Sequence, residues 1–115
     1  MTPKQLAFQT SAETIIKNLR KRNMEGYFFE DSASCINAVL KMMPEGSVVS
    51  WGGSESIKEC GLMNALKTGP YQLIDRFSAN TPQEAREIYA KTVLSDYYFM
   101  STNAITFDGE LINID

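Results

Sequence analysis

The sequence has no histidine. That removes the commonest general base, and with it the Ser/His and Cys/His dyads of nucleophilic catalysis. Cysteine is scarce: Cys35 and Cys60 are the only two. Both fall in expected helices, and with no imidazole beside them neither suggests zinc. They read as reduced thiols of a reducing compartment, Cys60 as a small core residue rather than a nucleophile. There is no basic excess. Lys and Arg number 11 against 14 Asp and Glu, a net charge of −3, which excludes nucleic acid as the expected partner because phosphate binding needs a basic face. The one basic run, Arg20-Lys21-Arg22, suits the last turn of a helix, where cations complement the macrodipole. No apolar stretch reaches the ~18 residues of a membrane span. Met1 to Gln9 lacks the apolar core of a signal peptide. These absences point to a cytoplasmic protein with no membrane partner, no metal site and no cofactor that the sequence requires.

What is present is an ordinary globular composition, 43% hydrophobic and 22% charged over 115 residues, the size of a single domain. Thr2-Pro3-Lys4-Gln5 is a helix start, with Thr2 as N-cap, Pro3 in the first turn and Gln5 completing a capping box. Phe8, Ala12, Ile15, Ile16 and Leu19 follow as one apolar stripe, and Gly26 ends the region. Tyr27-Phe28-Phe29 reads as a short strand. Asp31-Ser32 caps a second helix carrying Ile36, Val39, Leu40 and Met43. Ser47 to Trp51 is a strand of the buried, parallel kind. Gly52-Gly53 follows, and Ser54 opens a third helix with Ile57, Leu62, Met63 and Leu66 facing inward. Gly61 inside it costs about 1 kcal/mol relative to Ala, unless it marks close packing or an early helix end. Tyr71 to Ile74 is the next strand. Thr81-Pro82-Gln83-Glu84 repeats the capping chemistry, and Tyr97 to Ser101 is a fourth strand. Asp108-Gly109 is a two-residue turn joining Ile105-Thr106-Phe107 to Leu111 through Ile114 in a hairpin. Strands alternating with helices imply parallel pairing of those near Tyr27, Val48, Leu73 and Phe99. The expected fold is α/β: a mainly parallel sheet with right-handed helical crossovers and a C-terminal β-hairpin.

The chemistry concentrates at two junctions. In Ser50-Trp51-Gly52-Gly53-Ser54-Glu55-Ser56, a strand meets a helix N-terminus with unpaired N–H groups. Gly52 and Gly53 let a ligand approach the backbone, and Ser54 and Ser56 offer hydroxyls. Together these suit a phosphate or carboxylate, although the same residues also make a plain capped turn. The motif is neither a P-loop nor a GxGxxG fingerprint. In parallel α/β sheets the ligand crevice lies beyond the C-terminal strand ends, where this loop falls. Ser101-Thr102-Asn103-Ala104 follows the fourth strand. Asn103 there offers a donor and an acceptor, or else makes an Asx turn into the hairpin. Among the acids, Glu59 lies one turn into the third helix, Asp96 ends the fourth, and Asp108 makes the hairpin turn.

Two stretches carry a family resemblance. Val48-Val49-Ser50-Trp51-Gly52-Gly53-Ser54-Glu55-Ser56-Ile57-Lys58-Glu59-Cys60-Gly61-Leu62 is similar to a strand, Gly-Gly-Ser, helix and Gly-Leu pattern. Ser101 to Asp115, with Asn103-Ala104-Ile105-Thr106, Asp108-Gly109 and Leu111-Ile112-Asn113-Ile114-Asp115, is similar to its second signature. Ser78-Ala79-Asn80 and the pair Asp75-Arg76 lie between them. The sequence thus resembles the LUD domain family of lactate-utilization proteins over essentially its whole length.

The resemblance implies the fold of the sugar-phosphate isomerase and coenzyme A transferase superfamily: α/β, with an open, mainly parallel, Rossmann-like sheet and helices on both faces. It also implies a place in bacterial lactate or related organic-acid metabolism. It adds Glu110 and Asp115 to the carboxylates of interest. Family domains usually run on past the position of Asp115, so the chain is expected to be the N-terminal part of such a domain, or a shortened one. The cysteine clusters of the iron–sulfur member are missing. Related methylthioribose-phosphate isomerases carry a catalytic Asp where Asn103 stands, and a neutral amide cannot replace it as acid or base.

The leading expectation is a domain that binds an anionic metabolite or cofactor phosphate on Gly52, Gly53, Ser54 and Ser56, with Asn103 opposite. One alternative is an enzyme acting on a sugar phosphate or coenzyme A ester through Glu59 or Glu110. Another is a non-catalytic assembly subunit of an oxidoreductase complex. The apolar hairpin from Ile105 to Ile114 is expected to meet a second copy, giving a homodimer, or a polypeptide outside this chain, unless it folds back onto its own sheet and the first helix seals it; other lactate-utilization proteins are the further partners the resemblance implies.

Overall fold

Thr2 starts the first helix, α1 (Pro3–Lys21), with a complete capping box. Its hydroxyl accepts the Gln5 N–H at 3.1 Å, and the Gln5 side chain accepts the Thr2 N–H at 2.8 Å. These details come from a computed structural model of the chain, which describes residues 2–114; Asp115, one of the carboxylates named above, lies outside them. The helix stops before Gly26. Asn23 takes the left-handed conformation at φ 62°, the Met24 N–H returns to the Leu19 carbonyl and the Asn23 N–H to that of Arg20. This is a Schellman termination with Asn where Gly is usual. Gly26 has a different task. A Cβ there would come within 2.9 Å of the Ile16 side chain, so glycine lets this segment lie close on α1.

The expectation of a strand at Tyr27-Phe28-Phe29 is corrected. The segment is irregular and pairs with no strand among the described residues. Instead Phe28 and Phe29, with Phe8, Ala12 and Ile15 of α1, line an apolar pocket of about 380 Å³. Aromatic residues suit a strand, but Phe28 and Phe29 are half-buried beside α1 and Tyr27 is 57% exposed, and β-propensity depends on such surroundings more than on the backbone.

Helix α2 (Ser32–Met42) is capped by Asp31, whose carboxylate accepts the Ser34 N–H at 2.7 Å. Then come β1 (Val48–Trp51), α3 (Glu55–Glu59), α4 (Leu62–Thr68) and β2 (Gln72–Ile74). A short 3₁₀ turn (Arg76–Ser78), α5 (Pro82–Val93), β3 (Tyr97–Phe99), β4 (Ala104–Ile105) and β5 (Leu111–Ile112) complete the order. The expected third helix is two helices. Gly61 sits between them at φ +90°, a left-handed position that ordinary residues rarely adopt.

The described residues form two compact units, one of residues up to 35 with those from 102 onward, the other of residues 36–101. The second unit is α/β. Its sheet has the order β2-β1-β3, all parallel, with Val49 opposite Leu73 and Tyr97. Side chains alternate across a strand. Val49 and Trp51 face the main core with Ile57, Leu62, Met63 and Leu66, against which Ile36, Val39 and Leu40 of α2 also pack. The intervening Ser50 meets α5 on the opposite face, where its hydroxyl lies 3.4 Å from that of Thr92 and donates to the Ile74 carbonyl. Helices thus cover both faces of an open, parallel, Rossmann-like sheet. At its lower end Asp96 joins β1 to β3, accepting the Val48 N–H on its carboxylate while its own N–H reaches the Val48 carbonyl.

In the first unit, β4 and β5 form an antiparallel pair with Ala104 opposite Ile112 and Ile105 opposite Leu111. The connection differs from the two-residue turn expected at Asp108-Gly109. Only Gly109 has positive φ, at +85°. The Gly109 N–H bonds to the Thr106 carbonyl, and the Thr106 N–H bonds to that of Glu110. This is a longer loop closed by a glycine bulge. Asn18 and Arg22 of α1 donate to the carbonyls of Phe107 and Asp108, so α1 holds the hairpin tip.

Candidate functional site

Because the three strands are parallel and in register, the loops after Trp51, Ile74 and Phe99 leave the sheet at one end. The chain passes from β1 to β2 on one side and later to β3 on the other, so the order reverses at β1. This is where an open α/β sheet leaves a crevice. A pocket of about 260 Å³ lies there, lined by Trp51, Gly52, Gly53, Ser54, Glu55, Lys58, Met63 and Phe77.

Ser54 organises the loop. Its hydroxyl accepts the Ile57 N–H at 3.3 Å, capping α3, and donates to the Ser101 hydroxyl at 2.9 Å, tying the loop after β1 to the loop after β3. The Gly52 N–H extends the ladder by donating to the Phe99 carbonyl. The two glycines serve different ends. A Cβ on Gly52 would stand 3.1 Å from the Tyr98 hydroxyl, whereas one on Gly53 would make ordinary contact, 3.6 Å, with the Phe77 ring. Tyr98 is itself fixed: its hydroxyl accepts from the Arg76 guanidinium at 2.6 Å.

The electrostatics are mixed. The Lys58 ammonium stands 3.8 Å from the Glu55 carboxylate, and both side chains are mostly exposed. Such a pair is worth little and is easily rearranged. Helix α3 has only five residues, too short for its dipole to supply much field. The positive charge near the loop resides in Lys58 and in Arg76.

Of the residues singled out in the sequence, Gly52, Gly53 and Ser54 line the pocket. Ser56 is exposed on the first turn of α3 and does not line it. Glu59 is also exposed and outside the lining, about 6 Å further along the helix than Glu55 at 1.5 Å per residue. The carboxylate at the pocket is that of Glu55. Asn103 belongs to the other unit, where its side-chain oxygen accepts the Ile114 N–H at 2.7 Å and closes the open end of the hairpin. Glu110 is likewise in that unit, exposed, with its N–H on the Thr106 hydroxyl. Cys60 is half-buried against the core.

Sequence reasoning did not assign Lys58, Met63, Arg76, Phe77 or Tyr98 to the site. The signal for the last three was available: with parallel strands, residues just past β2 must emerge beside Gly52, and those of β3 must flank it. Among the described residues no cluster of His, Cys, Asp and Glu could hold a metal ion, and no helix is long and apolar enough to cross a membrane.

A family model described as the LUD domain matches residues 12–115. No curated protein matches the chain, and no solved structure does.

Proposed function

The chain belongs to the LUD domain family, and on that premise we propose that it is a ligand-binding domain of bacterial lactate or related organic-acid utilization, holding an anionic metabolite or a cofactor phosphate. The observation that carries this reading is the pocket of about 260 Å³ at the C-terminal end of the central strand, built on Gly52, Gly53 and Ser54.

Each part suits an anion for a physical reason. The N–H groups of Glu55 and Ser56 lack intrahelical partners, as the first donors of any helix do. Gly53 has no side chain to hold a ligand off. Lys58 lines the pocket and Arg76 stands beside the next strand end, supplying charge-assisted hydrogen bonds. Glu55 opposes an anion. Its side chain is 80% exposed, so it can swing into solvent and release Lys58. The reading places the protein in the cytoplasm, with a second copy or other lactate-utilization proteins as partners, and needs no bound cofactor.

Calorimetric titration with inorganic phosphate and with L-lactate tests it. Saturable binding of at least one anion is expected, weakened by added salt and about threefold to tenfold weaker in Lys58→Gln, a loss on the scale of one ordinary solvent-exposed hydrogen bond. Absence of saturable heat with both anions would remove the reading.

A further inference from the structure

The walls of the pocket are not those of a bare anion site. Trp51 and Met63, each 8% exposed, form its apolar floor. Phe77, 63% exposed, forms one side, with its ring in contact range of Gly53. We propose that the ligand carries a planar apolar group next to its anionic one, and that Phe77 is the residue that selects for it. This rests on the reading of the same pocket as an anion site.

Three observations support the assignment. First, the turn that carries Phe77 is held by hydrogen bonds although little covers the ring. The Asp75 carboxylate accepts the Phe77 N–H at 2.9 Å, the Ser78 hydroxyl donates to the Asp75 carbonyl, and the Arg76 guanidinium lies 5.8 Å from the ring centre. A scattered surface Phe needs no explanation. One carried on a hydrogen-bonded turn at the rim of a pocket that Trp and Met also line supplies a third apolar surface to the same volume. Second, the volume exceeds what a small inorganic anion fills. About 260 Å³ compares with ~30 Å³ for one water in the liquid, and it falls just under the ~300 Å³ at which drug-sized sites begin. Third, among the lining residues charge and the Phe77 ring stand on different elements, with Arg76 over the ring and outside the lining. Lys58 and Glu55 stand on α3, Phe77 on the turn after β2, so an amphipathic anion meets a matching surface at each end.

The protein has one tryptophan, and it lines this pocket, so its emission reports occupancy directly. The experiment titrates the full chain with inorganic phosphate, phenyl phosphate and phenol. Emission is excited at the red edge, where the aromatic ligands do not absorb. Phenyl phosphate is expected to bind about tenfold tighter than inorganic phosphate, a factor worth about 1.4 kcal/mol. Phe77→Ala should abolish most of that ratio by bringing the two affinities together, and Phe77→Leu should restore part of it. Equal affinity for the two phosphates overturns the inference and leaves the anion site standing. A preference for phenyl phosphate that survives Phe77→Ala overturns the role of Phe77. Phenol binding as tightly as phenyl phosphate overturns the amphipathic ligand. If neither phosphate binds, the inference falls, and the anion reading then stands or falls with L-lactate.

Discussion

Gly52 and Gly53 look equivalent in the sequence, and both were read as leaving room for a ligand. Their surroundings separate them. Neither adopts positive φ, so the question is space alone. The Tyr98 hydroxyl crosses Gly52 and is anchored by Arg76, whereas Gly53 faces the pocket, and a Cβ there would meet the Phe77 ring only at an ordinary contact distance. Gly52→Ala should therefore destabilise the fold by about 1 kcal/mol or more, as overpacking against a fixed neighbour does, whereas Gly53→Ala should leave the melting temperature nearly unchanged. Thermal melts of the two variants check this; equal losses would contradict it. Ser54 was legible for a simpler reason. A serine between a strand and an apolar-periodic segment has one dominant use, and its hydroxyl caps α3 as that use requires. The bond to Ser101 was not legible, because it joins residues 47 positions apart and depends on the order of strands.

At the level of elements, capping chemistry was the most readable signal, and its failures are instructive. Thr81 caps α5 as expected, but the Glu84 carboxylate accepts the N–H of Asn80 rather than that of Thr81; a flexible side chain can reach either donor. The end of α1 was assigned to Gly26, yet Asn23 takes the left-handed position. Asn tolerates that conformation where a β-branched residue does not. Asn23→Val should thus destabilise by about 1–2 kcal/mol, with Asn23→Gly neutral or stabilising, both read by circular dichroism of helix melting.

The start of α2 depends on pH. The Ser34 backbone N–H and hydroxyl, bonded to Asp31, hold its carboxyl below the usual value of 3.8. A lowered folded-state pKa means that the ionised cap stabilises the helix above the ordinary carboxylate range. That contribution is lost as pH falls through the lower folded value. The Ser34 amide resonance should therefore shift with a midpoint below 3.8, and Asp31→Asn should remove that titration while keeping an acceptor for the cap.

For the molecule as a whole, the parallel sheet was readable because compact apolar strands alternate with amphipathic helices, a pattern that leaves few other arrangements. Tyr27–Phe29 misled because three aromatics satisfy a strand and a helix-packing segment equally well. The last feature concerns association. Asn18, Arg22 and the close approach of Gly109 to the backbone of Asn18 and Leu19 secure the tip of the hairpin to α1. Its strands remain apolar and open: Ile105, Leu111 and Ile112 are 41%, 49% and 41% exposed, and Ile114 is 76% exposed. Among the described residues β4 and β5 pair only with each other, so each keeps a free edge of N–H and C=O groups, the usual template for pairing with another chain. An antiparallel edge is complementary to itself, and a two-fold pair of β5 strands would satisfy both copies at once. The chain is accordingly expected to form a dimer in light scattering after size exclusion. Ile112→Lys should return it to monomer without lowering helix content, because that side chain is exposed in a single copy. A monomer at all concentrations, or a dimer indifferent to Ile112→Lys, would show that this edge is not the contact.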